Sequence, residues 1–419
     1  MTPAHPFAIR DFRLYWISRF CAVMATMAMV VVIGWQTYDI ARADYGMTIA
    51  QASFQLGLLG LFQFIPLAIL TPVAGWVADR FERRRIVMLA NAVDLGVALL
   101  LGYCTYFDLL NLPLLFALAA GHGVARVFVG PAMSAIAPNL VPAQMLPRAI
   151  ALSSIAWQSA SVMGPAVGGM LYATGAPVPY IFSVALLLIS IVSITPIRKI
   201  LPPPIDQAVH PLQQMADGLR YTWRERFLLG AISLDLFAVL LAGATALLPV
   251  FARDILHVGP VGLGWLRAAP ALGAVVVAAW FVWRPLKHNV GAKMLWAVVA
   301  FGLATISFGV STHFWISIAS LVALGAADML SVYVRSSLVQ LNTPDAMRGR
   351  VSAVSGLAIS ASNELGEMQS GVAAALLGPV GAVVFGGVGA IMITGIWSIL
   401  FPELKNARTF EPQFKEKRS

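Results

Sequence analysis

Charge is scarce in this chain. Only 11% of its 419 residues are Asp, Glu, Lys or Arg, against 59% hydrophobic residues. A soluble protein of this length has no room to hide so much apolar surface. Cysteine is nearly absent. Cys21 and Cys104 both lie within apolar runs, which excludes a disulfide framework and reads as two small buried hydrophobes. The six histidines are scattered without ligand spacing, so neither a metal site nor any other cofactor is expected. No G-x-x-x-x-G-K-[ST] segment occurs, which excludes a phosphate-cradling loop for ATP. A cleavable leader is not expected either, because Arg19 interrupts the first apolar stretch and no A-x-A site follows.

What the chain has is long apolar runs. A span needs about 20 residues and a short loop, which makes ~12 spans the natural count for this length. Spans are predicted at roughly 14–40, 52–78, 86–107, 112–138, 146–174 and 178–197, then at 227–252, 261–283, 292–311, 314–340, 351–376 and 380–401. The gap between the sets is proline-rich and polar and cannot cross a bilayer. Its Met215–Arg226 stretch has the character of a helix lying on the membrane surface. The expected organisation is an all-α membrane protein with 12 transmembrane helices in two six-helix bundles: residues 1–200, a cytoplasmic linker at 201–226, residues 227–402, and a basic tail at 403–419.

The formal charge is +9. In a soluble protein this would raise the question of nucleic acid; here the excess marks one side of a membrane, and no nucleic-acid partner is expected. With both termini inside, the cytoplasmic segments collect all of the 28 Lys and Arg except Arg42 and Arg253 in outer loops and Arg19, Arg126, Arg267 and Arg335 within spans. That asymmetry is the positive-inside bias, and an odd number of spans would destroy it. A multi-pass protein of the bacterial inner membrane follows, with both termini cytoplasmic and a monomer expected.

The halves resemble one another at an offset of 202 residues. Pro142 meets Pro344, Met145 meets Met347, Arg148 meets Arg350, Gly164 meets Gly366, Gly123 meets Gly325 and Ser134 meets Ser336, while Arg126 meets Asp328. Parallel six-span repeats describe a two-bundle transporter, with the substrate site expected between the bundles near the midplane.

"GWVADRFERRR" follows the second span at Gly75 to Arg85. Gly75 is expected to admit a neighbouring helix. Asp79 ends its helix within reach of an Arg or a helix N-terminus, and Arg80, Arg83 and Arg84 are placed to bridge to carboxylates and helix C-termini of other spans. Such a cluster can latch the inner face in one conformation and release it in another. The stretch resembles the loop-two-to-three motif of the major facilitator superfamily, with Glu82 where Gly is usual, a departure shared by the branch containing bacterial enterobactin exporters and macrolide-efflux-like proteins. "FRLYWISRF", "RVFVG" (Arg126–Gly130), "GPAVGG" (Gly164–Gly169) and "NELGEMQSG" (Asn363–Gly371) extend the resemblance over nearly the whole chain. It implies the major facilitator fold. Gly164, Pro165, Gly168 and Gly169 are similar to the antiporter motif of exporting members. Arg126 with Gly130 resembles the span-four motif associated with proton coupling, although Val129 stands where Gln is usual.

Ionisable groups within spans are costly and are functional candidates by default. The acids are Asp94, Asp235, Asp328, Glu364 and Glu367; with Arg126 they form the expected proton-coupling set. Glu364 and Glu367 share a helix face one turn apart, an arrangement that pushes one carboxyl to titrate near neutrality. Asp328 and Arg335 also share a face and are expected to neutralise each other. Asp235 stands alone in "SLDLF". His122 is expected to be a hydrogen-bonded packing residue, and Arg19 either lines the interior or snorkels to the inner surface.

The resemblance implies a secondary transporter that exports a small organic molecule, siderophore-like or drug-like, by proton antiport. Its partners are the cargo, protons and the lipid bilayer. The alternative is a metal-ion carrier of nickel type on the same fold, which usually needs clustered His, Cys or carboxylate ligands. An enzyme is not expected, since the histidines form no His–acid grouping at one face.

Overall fold

A computed structural model describes residues 5–200, 211–284, 286 and 288–410. Parts of the expected linker (201–210) and basic tail (411–419) lie outside the described residues. The fold is all-α. In chain order the helices are α1 (Arg10–Ala43), α2 (Ile49–Arg80), α3 (Arg83–Tyr106), α4 (Leu112–Leu140), α5 (Leu146–Thr174), α6 (Val178–Ile194), α7 (Pro211–Arg224), α8 (Arg226–Leu241), α9 (Leu248–Val250), α10 (Gly259–Trp283), α11 (Val290–Val310), α12 (Phe314–Leu341), α13 (Asp345–Leu400) and α14 (Pro402–Lys405).

Among the described residues, nine helical segments are long and apolar enough to cross a membrane. The longest divides in two. Its backbone leaves the helical region at Gly378, where φ is +73°, and Pro379 follows without an N–H to continue the ladder. That break falls between the spans expected at 351–376 and 380–401. The helix α6, 17 residues long, is apolar but shorter. Trp283 at the end of α10 and Trp315 at the start of α12 are 86% and 78% exposed, as side chains of an interfacial belt are.

The expected span at 227–252 is not one continuous helix. The helix α8 stops at Leu241, a 3₁₀ turn covers Ala244–Leu247, and a π turn covers Phe251–Ile255. Gly243 is pressed against α13: a side-chain carbon there would stand 2.5 Å from the Gly366 carbonyl oxygen. Pro249 removes a further backbone donor. Hydropathy alone does not register such an interruption, because every residue from Ala242 to Ala252 is apolar or small.

The described chain separates into two compact units. Among the described residues, unit 1 comprises 5–48, 58–200 and 252–268; unit 2 comprises 49–57, 211–251 and the described residues from 269 to 410. Within unit 1, α1 packs on α5 and α6, and α3 packs on α4 and α6. Gly164 and Gly168 allow the close approach of α5 to α1, where an added carbon would stand 2.9 Å from the Met24 oxygen and 2.9 Å from the Ala28 backbone. Within unit 2, α8 packs on α13, and α11 packs on α12 and α13. Gly366 brings α13 against Val239 of α8 at 3.0 Å by the same measure. The repeat recurs at a second pair. Gly123 sets α4 on the α2 backbone at Gln63, and Gly325 sets α12 on the α10 backbone at Pro270. Two glycines matched by sequence offset therefore perform the same packing task, one in each unit.

The surface helix expected at 215–226 is present as α7, which ends at Arg224. Gly218 lies on the Arg350 backbone, Asp217 pairs with Arg350 at 3.6 Å, and Leu219 and Trp223 are exposed.

Candidate transport cavity and its ionisable residues

Unit 1 contains a cavity of about 290 Å³ among its membrane helices. Arg19 and Thr26 reach it from α1, Asn91 and Asp94 from α3, Arg126 from α4, and Trp157 from α5; Met27, Val129 and Met133 supply apolar wall. Its volume sits at the lower edge of small-molecule sites, which are mostly apolar with a few placed polar groups. Arg19 donates to the Tyr15 hydroxyl at 3.1 Å, and Arg126 donates to Gln63 Oε1 at 3.3 Å. Arg19 thus lines the interior instead of snorkelling.

Asp94 is buried and bound on both oxygens. His122 Nδ1 lies 2.5 Å from Oδ1, and the Thr26 hydroxyl donates to Oδ2 at 3.3 Å. His122 is fully buried, and its Nε2 has no partner among the described residues. The reading of His122 as a hydrogen-bonded packing residue missed what it bonds to. A signal was available: α3 and α4 form an antiparallel hairpin, and Asp94 and His122 lie at similar distances from its turn, so the two face one another.

The motif after α2 is spent differently from its expectation. Gly75 meets no atom of the described residues within 4 Å of an added carbon, so the expected close packing is not seen there. The Asp79 side chain lies outside the described residues. Arg80 does not reach a carboxylate or helix terminus. It is exposed and lies over the Trp76 ring at 4.7 Å. Arg83 donates to the Ala135 carbonyl of α4 at 3.3 Å. Arg84 donates to the Thr195 and Ile197 carbonyls at the end of α6, at 2.8 and 2.6 Å. Glu82, the departure from the usual Gly, is buried and pairs with Arg84 and Arg85, each at 2.9 Å. Beneath these bonds lies a core that includes Phe12, Ile86, Ile136, Met145 and Ile194. Arg84→Ala removes two charge-assisted bonds and is expected to lower stability by about 1.5–3 kcal/mol. Arg84→Lys should recover less than half of that, since a single ammonium lacks the guanidinium fork; melting curves of the three proteins in detergent check it.

The segment Ala252–Ala268 completes unit 1 at the far end of α1. Arg253 pairs with Asp39 at 2.6 Å, Arg42 pairs with Asp254 at 3.6 Å, and the Tyr38 hydroxyl donates to Asp254. The two bases of the outer loops are thus both matched by acids, which sequence spacing did not reveal. Gly169 of the antiporter motif meets this segment at Pro260 and Gly264, and Pro165 sits within α5.

In unit 2 the buried ion pair joins Arg335 of α12 to Asp235 of α8. Asp235 is therefore not alone, and Arg335 does not neutralise Asp328 by direct contact. Glu364 is buried and Glu367 half-buried on α13, and neither is without a partner. Among the described residues no group of three or more His, Cys, Asp or Glu is placed to hold a metal ion.

The family model described as "Transmembrane secretion effector" matches residues 1–415. Curated relatives include the enterobactin exporter EntS of Escherichia coli O1:K1, 28% identical over 383 residues and covering 87% of each chain, and EntS of Citrobacter koseri, 28% identical over 379 residues with the same coverage. Solved structures with the same fold include a D-xylose–proton symporter (TM-score 0.71, 12% identity, 94% of this chain and 98% of that one). Another is a bacterial homologue of the human lysosomal transporter Spinster (TM-score 0.67, 16% identity, 94% and 96%). Helical architecture, motif placement and a match along almost the full length agree: the chain belongs to the transmembrane secretion effector family of the major facilitator superfamily.

Proposed function

We propose that the chain is a secondary active exporter of a small organic molecule, siderophore-like or drug-like, working by proton antiport with alternating access in the bacterial inner membrane. The observation that carries this reading is the cavity of unit 1, which holds Arg19, Asn91, Asp94 and Arg126 against Trp157 and two methionines inside apolar helices. Polar groups on one wall and greasy ones on another suit an amphiphile. The siderophore class rests on relatives named as enterobactin exporters. A bilayer-embedded charge is tolerated only where it lines a cavity or is paired, and the cavity does both for Arg126.

In this reading Arg83 and Arg84 brace the ends of α3, α4 and α6 while the unit moves, and Asp79 and Arg80 supply the contact that differs between states. Gly164, Pro165, Gly168 and Gly169 set the shape of α5 along α1. Both termini face the cytoplasm, and the protein acts as a monomer. The driving force is adequate: one charge moved through 100 mV supplies about 2.3 kcal/mol, to which a proton gradient adds.

The test is uptake into inverted membrane vesicles with an imposed pH gradient, using enterobactin and fluorescent dyes as probes. Cargo is expected to accumulate and to be released by an uncoupler. Arg126→Gln should lose most of this accumulation with a melting temperature near that of the parent. Accumulation of no probe, or accumulation indifferent to the gradient, overturns the exporter or the antiport part respectively.

A further inference from the structure

Unit 2 holds a buried ion pair and, on the same helix as its guanidinium, a second, half-buried carboxyl group. Asp235 of α8 is ion-paired with Arg335 of α12, and they are 7% and 4% exposed. Asp328 lies on α12 two turns before Arg335, on the same face. It feels the charges of both Arg335 and Asp235, yet it forms no hydrogen bond or ion pair with any described residue.

Among the described residues of unit 2 no further cation is paired with it, and Arg267, on α10 just outside this unit, has a partner of its own. The only ionisable residue of α11 is Lys293, in its first turn. On α13, Glu364 and Glu367 have partners of their own. Glu403 of α14 pairs with Arg226 at the start of α8, and Asp217 of α7 pairs with Arg220 and Arg350. The part of α10 in this unit has no charged side chain. With both acids ionised, the group carries one uncompensated negative charge among apolar membrane helices, a state strongly disfavoured. One bound proton removes it.

We propose that Asp235, Arg335 and Asp328 form a single-proton site, in which one carboxyl is paired with Arg335 while the other holds the proton. In this structure Arg335 is on Asp235, so the proton is on Asp328. The alternative state exchanges the roles. The O–H bond at Asp328 breaks, its electron pair remains as the carboxylate that receives Arg335, and an O–H bond forms at the released Asp235. Each state has one ion pair and one neutral acid, and the exchange carries a proton from α12 to α8. Such a bistable element is what a proton-coupled carrier requires. The assignment of this site to transport rests on the antiport reading above; proton binding itself does not.

Infrared difference spectra between acid and alkaline pH test it on the full-length protein in lipid vesicles, with no cargo present. The parent is expected to show one carbonyl band of a protonated carboxylic acid that both Asp328→Asn and Asp235→Asn abolish, because in either variant the remaining acid takes Arg335. Asp328→Glu keeps the acid and should keep the band at a shifted position, and it serves if an asparagine variant fails to fold. Survival of the band in either asparagine variant overturns the shared site. In inverted vesicles Asp328→Asn should lose gradient-driven accumulation but keep cargo exchange at equal pH. Bands as expected with no cargo movement in the parent would sink the exporter reading and leave the proton site standing. Gradient-driven export intact in Asp328→Asn would overturn the assignment of this site to transport and leave the exporter reading standing.

Discussion

Gly325→Ala is expected to be among the most damaging single replacements in the molecule, lowering stability by about 3 kcal/mol or more. The carbon it adds would overlap the Pro270 carbonyl oxygen and lie 2.5 Å from the Pro270 carbonyl carbon and Cα. A helix backbone on both sides leaves neither partner free to turn away, so α12 must part from α10. Gly123→Ala is the internal control. It is the repeat-related position on α4, but its added carbon would stand 3.0 Å from the Gln63 oxygen. A shift of a few tenths of an ångström relieves that, and the loss should be about 1 kcal/mol. Thermal unfolding of both variants in detergent settles the order. Equal losses, or a milder loss at Gly325, would show that the two units do not pack as described. The same comparison bears on function, because both glycines seat a helix that carries ionisable side chains, Arg126 on α4 and Asp328 with Arg335 on α12.

His122→Leu is expected to cost about 1–3 kcal/mol, the range for leaving a buried polar group without its hydrogen-bond partner. The reason lies with Asp94 more than with the histidine. Asp94 is 3% exposed, and without His122 its carboxylate keeps only the longer bond from Thr26. The double variant Asp94→Leu/His122→Leu removes the stranded acid as well and should be more stable than His122→Leu alone. Melting curves for the parent, both single variants and the double variant complete the cycle. A His122→Leu protein as stable as the parent would mean that the pair is not a buried unit. Transport should separate from stability here. The double variant regains its fold but loses a polar wall of the cavity, so its export of a probe that the parent carries should stay impaired.

Much of this architecture was legible from residues alone. Spans, the polar gap, the surface helix and the break near Gly378 each follow from local composition. The duplication was legible because glycines that set helix crossings recur at one offset, Gly123 with Gly325 and Gly164 with Gly366. The ionisable residues were legible as a set but not as partners. Spacing along α12 put Asp328 and Arg335 on one face, yet the guanidinium reaches across to α8. Asp94 and His122 met across a hairpin whose geometry contained the clue. Gly75 failed as a packing residue, since a small side chain permits a close neighbour without supplying one.

Sequence by itself determined that this protein lives in a membrane, that it is built twice over, and which family it joins. These properties are read by the bilayer one segment at a time, from hydrophobicity and charge that each stretch carries alone. Only the tertiary structure decided that Arg335 holds Asp235, that Asp94 holds His122, and that the arginines after α2 brace α4 and α6. Those choices depend on how each helix is rotated about its own axis within the bundle. That rotation is fixed by contacts between segments far apart in the chain.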